Sequence, residues 1–243
     1  MTTPSYSELV AAVRREGEGI VSAGGVELDL AVPTCGDWRM GDLLVHVGRV
    51  YHRAGELVGE RVTGQRDYPA APPEGTDPRA YVRDGLDELV EALSSADAET
   101  PVWNWSSEPQ IAGFWARRMA HESAVHRYDA QRAQGLAQPI DDELAHDGMD
   151  ELVDVLLPRI VERDGPELAE AVYAFSTADE GEWVLRTGPD GIERLPTAKG
   201  ADVTVRGPAS AVLLAAYGRV KWASLDVAGD ESLLPRWSES FRF

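Results

Sequence analysis

Glu122 and His126 stand four residues apart in the run Arg117-Arg118-Met119-Ala120-His121-Glu122-Ser123-Ala124-Val125-His126-Arg127-Tyr128-Asp129. On a helix this spacing leaves the two side chains about 40° apart around the axis, stacked on one face. A carboxylate and an imidazole one turn apart are how helical bundles offer ligands to a metal ion. His121 and His126 are five apart, about 140° around the same helix, so they do not share one ion and the zincin motif is not met. A third ligand has to come from another helix. His46 is the best placed, because it sits inside the apolar run Leu43-Leu44-Val45-His46-Val47, and a histidine among core residues must be satisfied by a metal, a carbonyl or a carboxylate. His52 lies about 120° away around that helix, and His146, flanked by Asp147, reads as exposed. Glu–His pairs at this spacing also occur on solvated helix faces, and a core histidine is more often hydrogen-bonded than metal-bound, so spacing alone leaves both readings open.

The elements that must position these groups are mostly helical. Residues 5–22 carry Leu9, Val10, Val13, Ile20 and Val21 at helical spacing, with Ser5 and Ser7 as candidate caps. A second helix is expected to start from Asp37 as N-cap, with Met40, Leu43, Leu44, Val47, Val50 and Tyr51 as its apolar stripe. Residues 63–76 read as an irregular loop, and Asp77-Pro78 opens a third helix with Tyr81, Leu86, Leu89, Val90 and Leu93 on its buried face. The prolines and tryptophans of residues 98–110, Trp103 and Trp105 among them, suit an ordered loop. A fourth helix is expected over about residues 113–134, with Gly135 just past its end. A fifth spans about 141–161, with Pro158 bending or ending it.

The texture changes near Asp164-Gly165. Short alternating runs follow at residues 183–185, 203–205 and 225–227, with a hairpin signal at Pro189-Asp190-Gly191 and short helical patterns at residues 209–217 and 231–237. The expected architecture is a helical domain over residues 1–163 and a small α+β domain over 164–243.

The bulk properties narrow the function. With 42 acidic against 23 basic side chains, the formal charge of −19 disfavours nucleic acid and anionic membrane surfaces, both of which recruit clustered Lys and Arg. No apolar run approaches the roughly 20 residues of a membrane span. The opening residues, MTTPSYSELV, carry neither a basic nor an apolar signal region. Cys35 is the only cysteine, so no intrachain disulfide can form. It lies just ahead of a helix start and reads as a buried structural residue. The expectation is a cytoplasmic protein, monomeric or weakly dimeric, acting on small molecules.

Three segments carry a resemblance. Cys35-Gly36-Asp37-Trp38 followed by Gly41-Asp42-Leu43-Leu44-Val45-His46-Val47, then residues 113–129, then residues 144–152, resemble in order the motifs of the DinB-like, mycothiol-dependent maleylpyruvate isomerase family. Residues 202–208, 217–219 and 225–230 resemble that family's C-terminal domain, which is similar to sterol-carrier folds. The resemblance implies a DinB-like, metal-binding helical bundle followed by a small α+β domain. It implies His46, Glu122 and His126 as metal ligands, a divalent ion such as Zn²⁺, and mycothiol as thiol cosubstrate. Arg219 matches an arginine implicated near the active site.

Two imidazoles and one carboxylate leave coordination positions open, which is the catalytic pattern for zinc. Such a site would activate a thiol for attack on a small, anionic electrophile, giving a conjugate or an isomer. The sulfur would come from the cosubstrate, since no cysteine of the chain is expected near the site. Asp129, on the ligand face two turns beyond Glu122, would accept a hydrogen bond from a ligand, bind the cosubstrate's hydroxyls, or pair with an Arg. Arg219 would bind an anionic group through its planar fork. Trp103, Trp105 and Trp115 either line the pocket or belong to the core. The rival classes are a non-catalytic small-molecule binder and an iron-dependent DinB relative.

Overall fold

A computed structural model of the chain describes residues 3–25, 27–66, 71–165, 167–177 and 181–241. It divides into two compact units, residues 4–138 and the chain from Pro139 onward.

The first unit is built on four helices, α1 (Tyr6–Ala23), α2 (Met40–Gly59), α3 (Pro78–Ser94) and α4 (Ala112–Ala133). Ser5 starts α1 with a reciprocal cap: its hydroxyl accepts from the Glu8 amide, and the Glu8 carboxylate accepts from the Ser5 amide at 2.7 Å. Asp77 caps α3 by accepting from the Arg79 amide, with Pro78 at the first helical position. The helix α2 starts later than the Asp37 cap expected from sequence. Arg39 bridges to Ala31; of the two amides a cap at Asp37 would have used, that of Met40 donates to the Leu30 carbonyl and that of Arg39 to the Asp42 carboxylate, both at 2.8 Å. The end of α4 follows expectation within a residue, with Gly135 at φ +73°.

Helix α2 packs on α3 and α1 on α4, with further contacts between α1 and α3 and between α2 and α4. At Gly55 of α2 an added Cβ would lie 3.2 Å from the Leu89 amide nitrogen, so the absence of a side chain sets how closely α2 and α3 approach. Most of the apolar stripes read from the sequence line this core: Leu9, Val13 and Ile20, then Met40, Leu43, Leu44, Val47 and Tyr51, then Leu86, Leu89, Val90 and Leu93 are buried, whereas Val10, Val21, Val50 and Tyr81 lie at the stripe edges and are only partly buried. Glu16 of α1 and Arg127 of α4, both buried, form an ion pair, and the Arg127 guanidinium also donates to Gln131 and to the Gln138 carbonyl. Residues 63–66 and 71–76 form no helix or strand, and the rest of that expected loop lies outside the described residues. Residues 98–110 form the ordered aromatic loop, whose Trp103 carbonyl accepts from Nε1 of Trp115, a buried core residue of α4.

The second unit begins with a helical rod. Asp141 caps α5 (Asp142–Glu151), which continues through a π-helical turn (Leu152–Leu156) into α6 (Leu157–Asp164). Pro158 neither ends nor breaks the rod. It sits in the first turn of α6, where its missing N–H costs little, and the wider π turn comes just before it. The change to sheet expected at residue 164 therefore falls inside this unit, whose first residue in the fold is Pro139.

Five strands follow: β1 (Ala171–Thr177), β2 (Glu182–Gly188), β3 (Gly191–Leu195), β4 (Val203–Gly207) and β5 (Asp226–Gly229). They form one mixed sheet in the order β3-β2-β1-β4-β5, parallel only between β1 and β4. The β2–β3 hairpin turns at the expected Pro189-Asp190-Gly191, with Gly191 at φ +108°. Helix α7 (Ala209–Ala216) packs on β1 and β4, and α8 (Leu233–Ser240) brings Trp237 against Tyr173 and Phe175. His146, expected to be exposed, is buried, with Nε2 3.4 Å from the Thr177 hydroxyl and its ring beside Trp183. No helix among the described residues is long and apolar enough to cross a membrane.

Candidate metal centre

The α2 stripe places Leu43, Leu44 and Val47 in the core and leaves His46 at the edge of that face, its side chain about one-third exposed. The α4 stripe turns Glu122 and His126 toward the same point. Glu122 Oε1 lies 3.2 Å from His46 Nε2 and 3.3 Å from His126 Nε2, and the three donor atoms all lie within 4.8 Å of one another.

These separations are compatible with two roles. Direct N–H···O hydrogen bonds cluster near about 2.9 Å. Two ligands on one tetrahedral zinc, each bound at about 2.0–2.1 Å, stand about 3.3 Å apart. Both distances lie at the long end of the hydrogen-bond range and also match the spacing of two ligands on one ion, and a donor set of two imidazoles and a carboxylate suits a divalent ion.

The surroundings aim these ligands. The Arg118 guanidinium donates to Glu122 Oε2 at 3.1 Å from one turn earlier on α4, so the other carboxylate oxygen faces the two imidazoles. Asp129 is fully buried, and its Oδ2 lies 2.9 Å from His126 Nδ1. With that nitrogen donating to Asp129, the Nε2 lone pair is the one presented to the cluster. The Trp38 ring stacks on His126 at 6.5 Å between centroids and lies 4.9 Å from the His46 ring.

The electrostatics agree. Burial alone would push the Glu122 carboxyl up. It is outweighed by the His126 charge, hydrogen bonds to His126 and His46, and the Arg118 charge, which hold the group well below the ordinary carboxylate range. Burial likewise works against charge on His126, yet the Glu122 carboxylate, helped by hydrogen bonds to Asp129, Cys35 and Glu122, holds its proton well above the usual imidazole range. In the metal-free cluster a proton on His126 balances Glu122, and a metal ion would take that proton's place.

Of the residues singled out from sequence, His46, Glu122, His126 and Asp129 come together. Arg219 belongs to the second unit, where its side chain is nine-tenths buried, donates to the Tyr217 carbonyl at 2.8 Å and lies over the Tyr217 ring. The expectation that no cysteine lies near the cluster is wrong. Cys35 Sγ sits 3.4 Å from Asp129 Oδ2, half-buried, and Cys35, His126 and Asp129 form a second group of close donor atoms. Its position follows from a tight loop that sequence spacing does not reveal. Sequence reasoning also missed Arg118, for which the four-residue step to Glu122 was the available signal, and Trp38, which lies in the turn ahead of α2.

The comparisons with known proteins come from outside this geometry. Two crystal structures, one of the mycothiol-dependent maleylpyruvate isomerase and one of a mutant with a histidine replaced by alanine, share the fold. Each aligns with a TM-score of 0.65 over 94% of this chain and 96% of its own, at 15% identity. No curated protein matches the chain in sequence. Residues 143–236 match the MDMPI C-terminal domain, and residues 8–131 match the mycothiol maleylpyruvate isomerase N-terminal domain. With both halves matched in order, the chain belongs to the mycothiol maleylpyruvate isomerase family.

Proposed function

We propose that this chain is a metal-dependent enzyme that uses mycothiol to isomerise, or to form a conjugate with, a small electrophile such as maleylpyruvate. The observation that carries the reading is the position of Glu122 Oε1, 3.2 and 3.3 Å from two imidazole nitrogens on two helices. His46, Glu122 and His126 would hold the ion, zinc by the pattern of donors, although the carboxylate also suits iron. When bound, the ion supplies Lewis acidity that lowers the pKa of a thiol.

The chain's own residues prepare that step. Asp129 fixes the His126 tautomer, Arg118 turns the Glu122 carboxylate, and Trp38 forms an aromatic wall against both imidazoles. Three protein ligands would leave a position for the thiol; once the thiol has given up its proton, the thiolate would add to one carbon of the substrate's activated double bond, leaving the displaced electron pair on the neighbouring carbon and its carbonyl. If the adduct rotates about the former double bond and expels the thiol, the product is an isomer. If instead the neighbouring carbon takes up a proton, the C–S bond stays and the product is a conjugate. Arg219 serves to bind an anionic group of the substrate or the thiol, a task its planar fork suits. The DinB-like and sterol-carrier-like character of the two units belongs to the same proposal.

The test is to incubate the protein with mycothiol and a panel of electrophiles that includes maleylpyruvate, and to follow isomers and adducts by mass spectrometry. Turnover that vanishes in His46→Ala and falls strongly in Arg219→Ala supports the scheme. A metal-replete protein that neither binds nor consumes any thiol replaces it with a non-catalytic binding protein.

A further inference from the structure

Residues 31–39 form a closed loop ahead of α2. Ala31 and Arg39 pair across its neck, the Val32 amide donates to the Trp38 carbonyl at 3.0 Å, and the Cys35 amide donates to the Val32 carbonyl at 3.0 Å. The chain reverses at Gly36, whose φ of +63° lies in the region a side chain disfavours. The loop thereby sends two side chains to opposite features of the same histidine. Trp38 stacks on the His126 ring, and Cys35 reaches the Asp129 carboxylate that holds His126 Nδ1.

We propose that Cys35 is a positioning residue for the metal centre: its S–H donates to Asp129 and thereby sets how firmly His126 presents Nε2. This deepens the metal-centre reading and rests on it. Three contacts make a continuous chain, Cys35 Sγ to Asp129 Oδ2 at 3.4 Å, Asp129 Oδ2 to His126 Nδ1 at 2.9 Å, and His126 Nε2 to Glu122 Oε1 at 3.3 Å. The Asp129 carboxylate is wholly out of water, so its charge depends on the donors around it, and a thiol is one of them. A thiol is a weak donor, which suits a contact that adjusts a ligand rather than anchoring it. Cys35 is half-buried, so a reagent can reach the end of the chain whose other end is the metal ligand.

Coupling between two sites is reciprocal. If the Cys35 contact strengthens metal binding, metal binding must alter Cys35. The experiment therefore measures both directions on the full chain. Zinc affinity is determined by competition with a chromophoric chelator for wild type, Cys35→Ser and Cys35→Ala, and iodoacetamide alkylation of Cys35 is timed with and without zinc. Outer partners of metal ligands change affinity by about 10- to 100-fold, and a thiol is a weaker donor than the usual partners, so Cys35→Ala should weaken zinc by about 3- to 10-fold. Cys35→Ser, which keeps a donor, should recover part of that loss. Carboxymethylated wild type should bind zinc at least as weakly as Cys35→Ala, and zinc should change the alkylation rate. Thermal unfolding of the metal-free variants separates this from a structural role, which would lower Tm and leave the zinc affinity of the folded protein alone. Cys35→Ala with wild-type affinity overturns this inference by itself. Wild type that binds no zinc overturns the metal centre and this inference together.

Discussion

Glu122 and His46 are 76 residues apart in sequence, yet Glu122 Oε1 lies 3.2 Å from His46 Nε2. Each is presented by its own helix, His46 from the edge of the α2 stripe and Glu122 from α4. The purified protein should accordingly carry about one divalent ion, and replacing Glu122 or His126 with alanine should remove most of it. Elemental analysis of dialysed wild type and variants checks this, and a wild type with no affinity for zinc would end the metal reading.

Asp129→Asn keeps the shape but not the charge that receives the His126 Nδ1 proton. Zinc affinity should fall by about 10- to 100-fold, with the helical content unchanged. Chelator competition together with circular dichroism reads both. Equal affinity in the variant would reduce Asp129 to a packing residue.

Zinc uptake should displace a proton. The His126 proton is held well above the ordinary imidazole range, chiefly because the Glu122 charge outweighs burial. A raised pKa means the ring is still protonated at neutral pH in the metal-free protein, so zinc and proton compete there. Apparent affinity should fall as pH falls, by about tenfold per unit for one proton displaced, and level off above the raised pKa. Titrations at about pH 6 and about pH 8 test the slope, and a flat profile would contradict it.

The Glu16–Arg127 pair predicts a stability effect near the site. Both side chains are buried, so Glu16→Ala leaves a guanidinium out of water without its carboxylate, at a cost of about 3 kcal/mol and roughly 6–12 °C in Tm. By contrast, Arg186 and Glu193 are about half exposed, and Glu193→Ala should cost less than about 1 kcal/mol. Thermal melts of the two variants compare them directly.

The helices of the first unit were legible because Leu43, Leu44, Val47 and Tyr51, or Leu86, Leu89 and Leu93, repeat at the helical period and pack on one side only. The same period brought Glu122 and His126 to one face. What escaped reading depends on contacts between distant segments. Strand β1 is buried on nearly every residue, so Ala171–Thr177 has no polar alternation to betray it. His146 next to Asp147 looked solvent-facing, but its helix carries a polar side chain into the packed side, where Thr177 meets it. Cys35 reached Asp129 only because the 31–39 loop closes on itself, a pairing with no periodic signature.

The sheet of the second unit ends on β3 and β5, and both margins are short, five and four residues. Open strand margins invite other chains to add on, and proteins discourage this with brief strands and charged side chains. Here Glu193 and Arg194 stand on one margin, with Arg194 pinned by Asp150 and Asp154, and Asp226 stands on the other. A mixed sheet that could have seeded aggregation is thus blunted at both rims, and loss of those charges would be felt first as poor solubility of the expressed protein, before any change at the metal ligands.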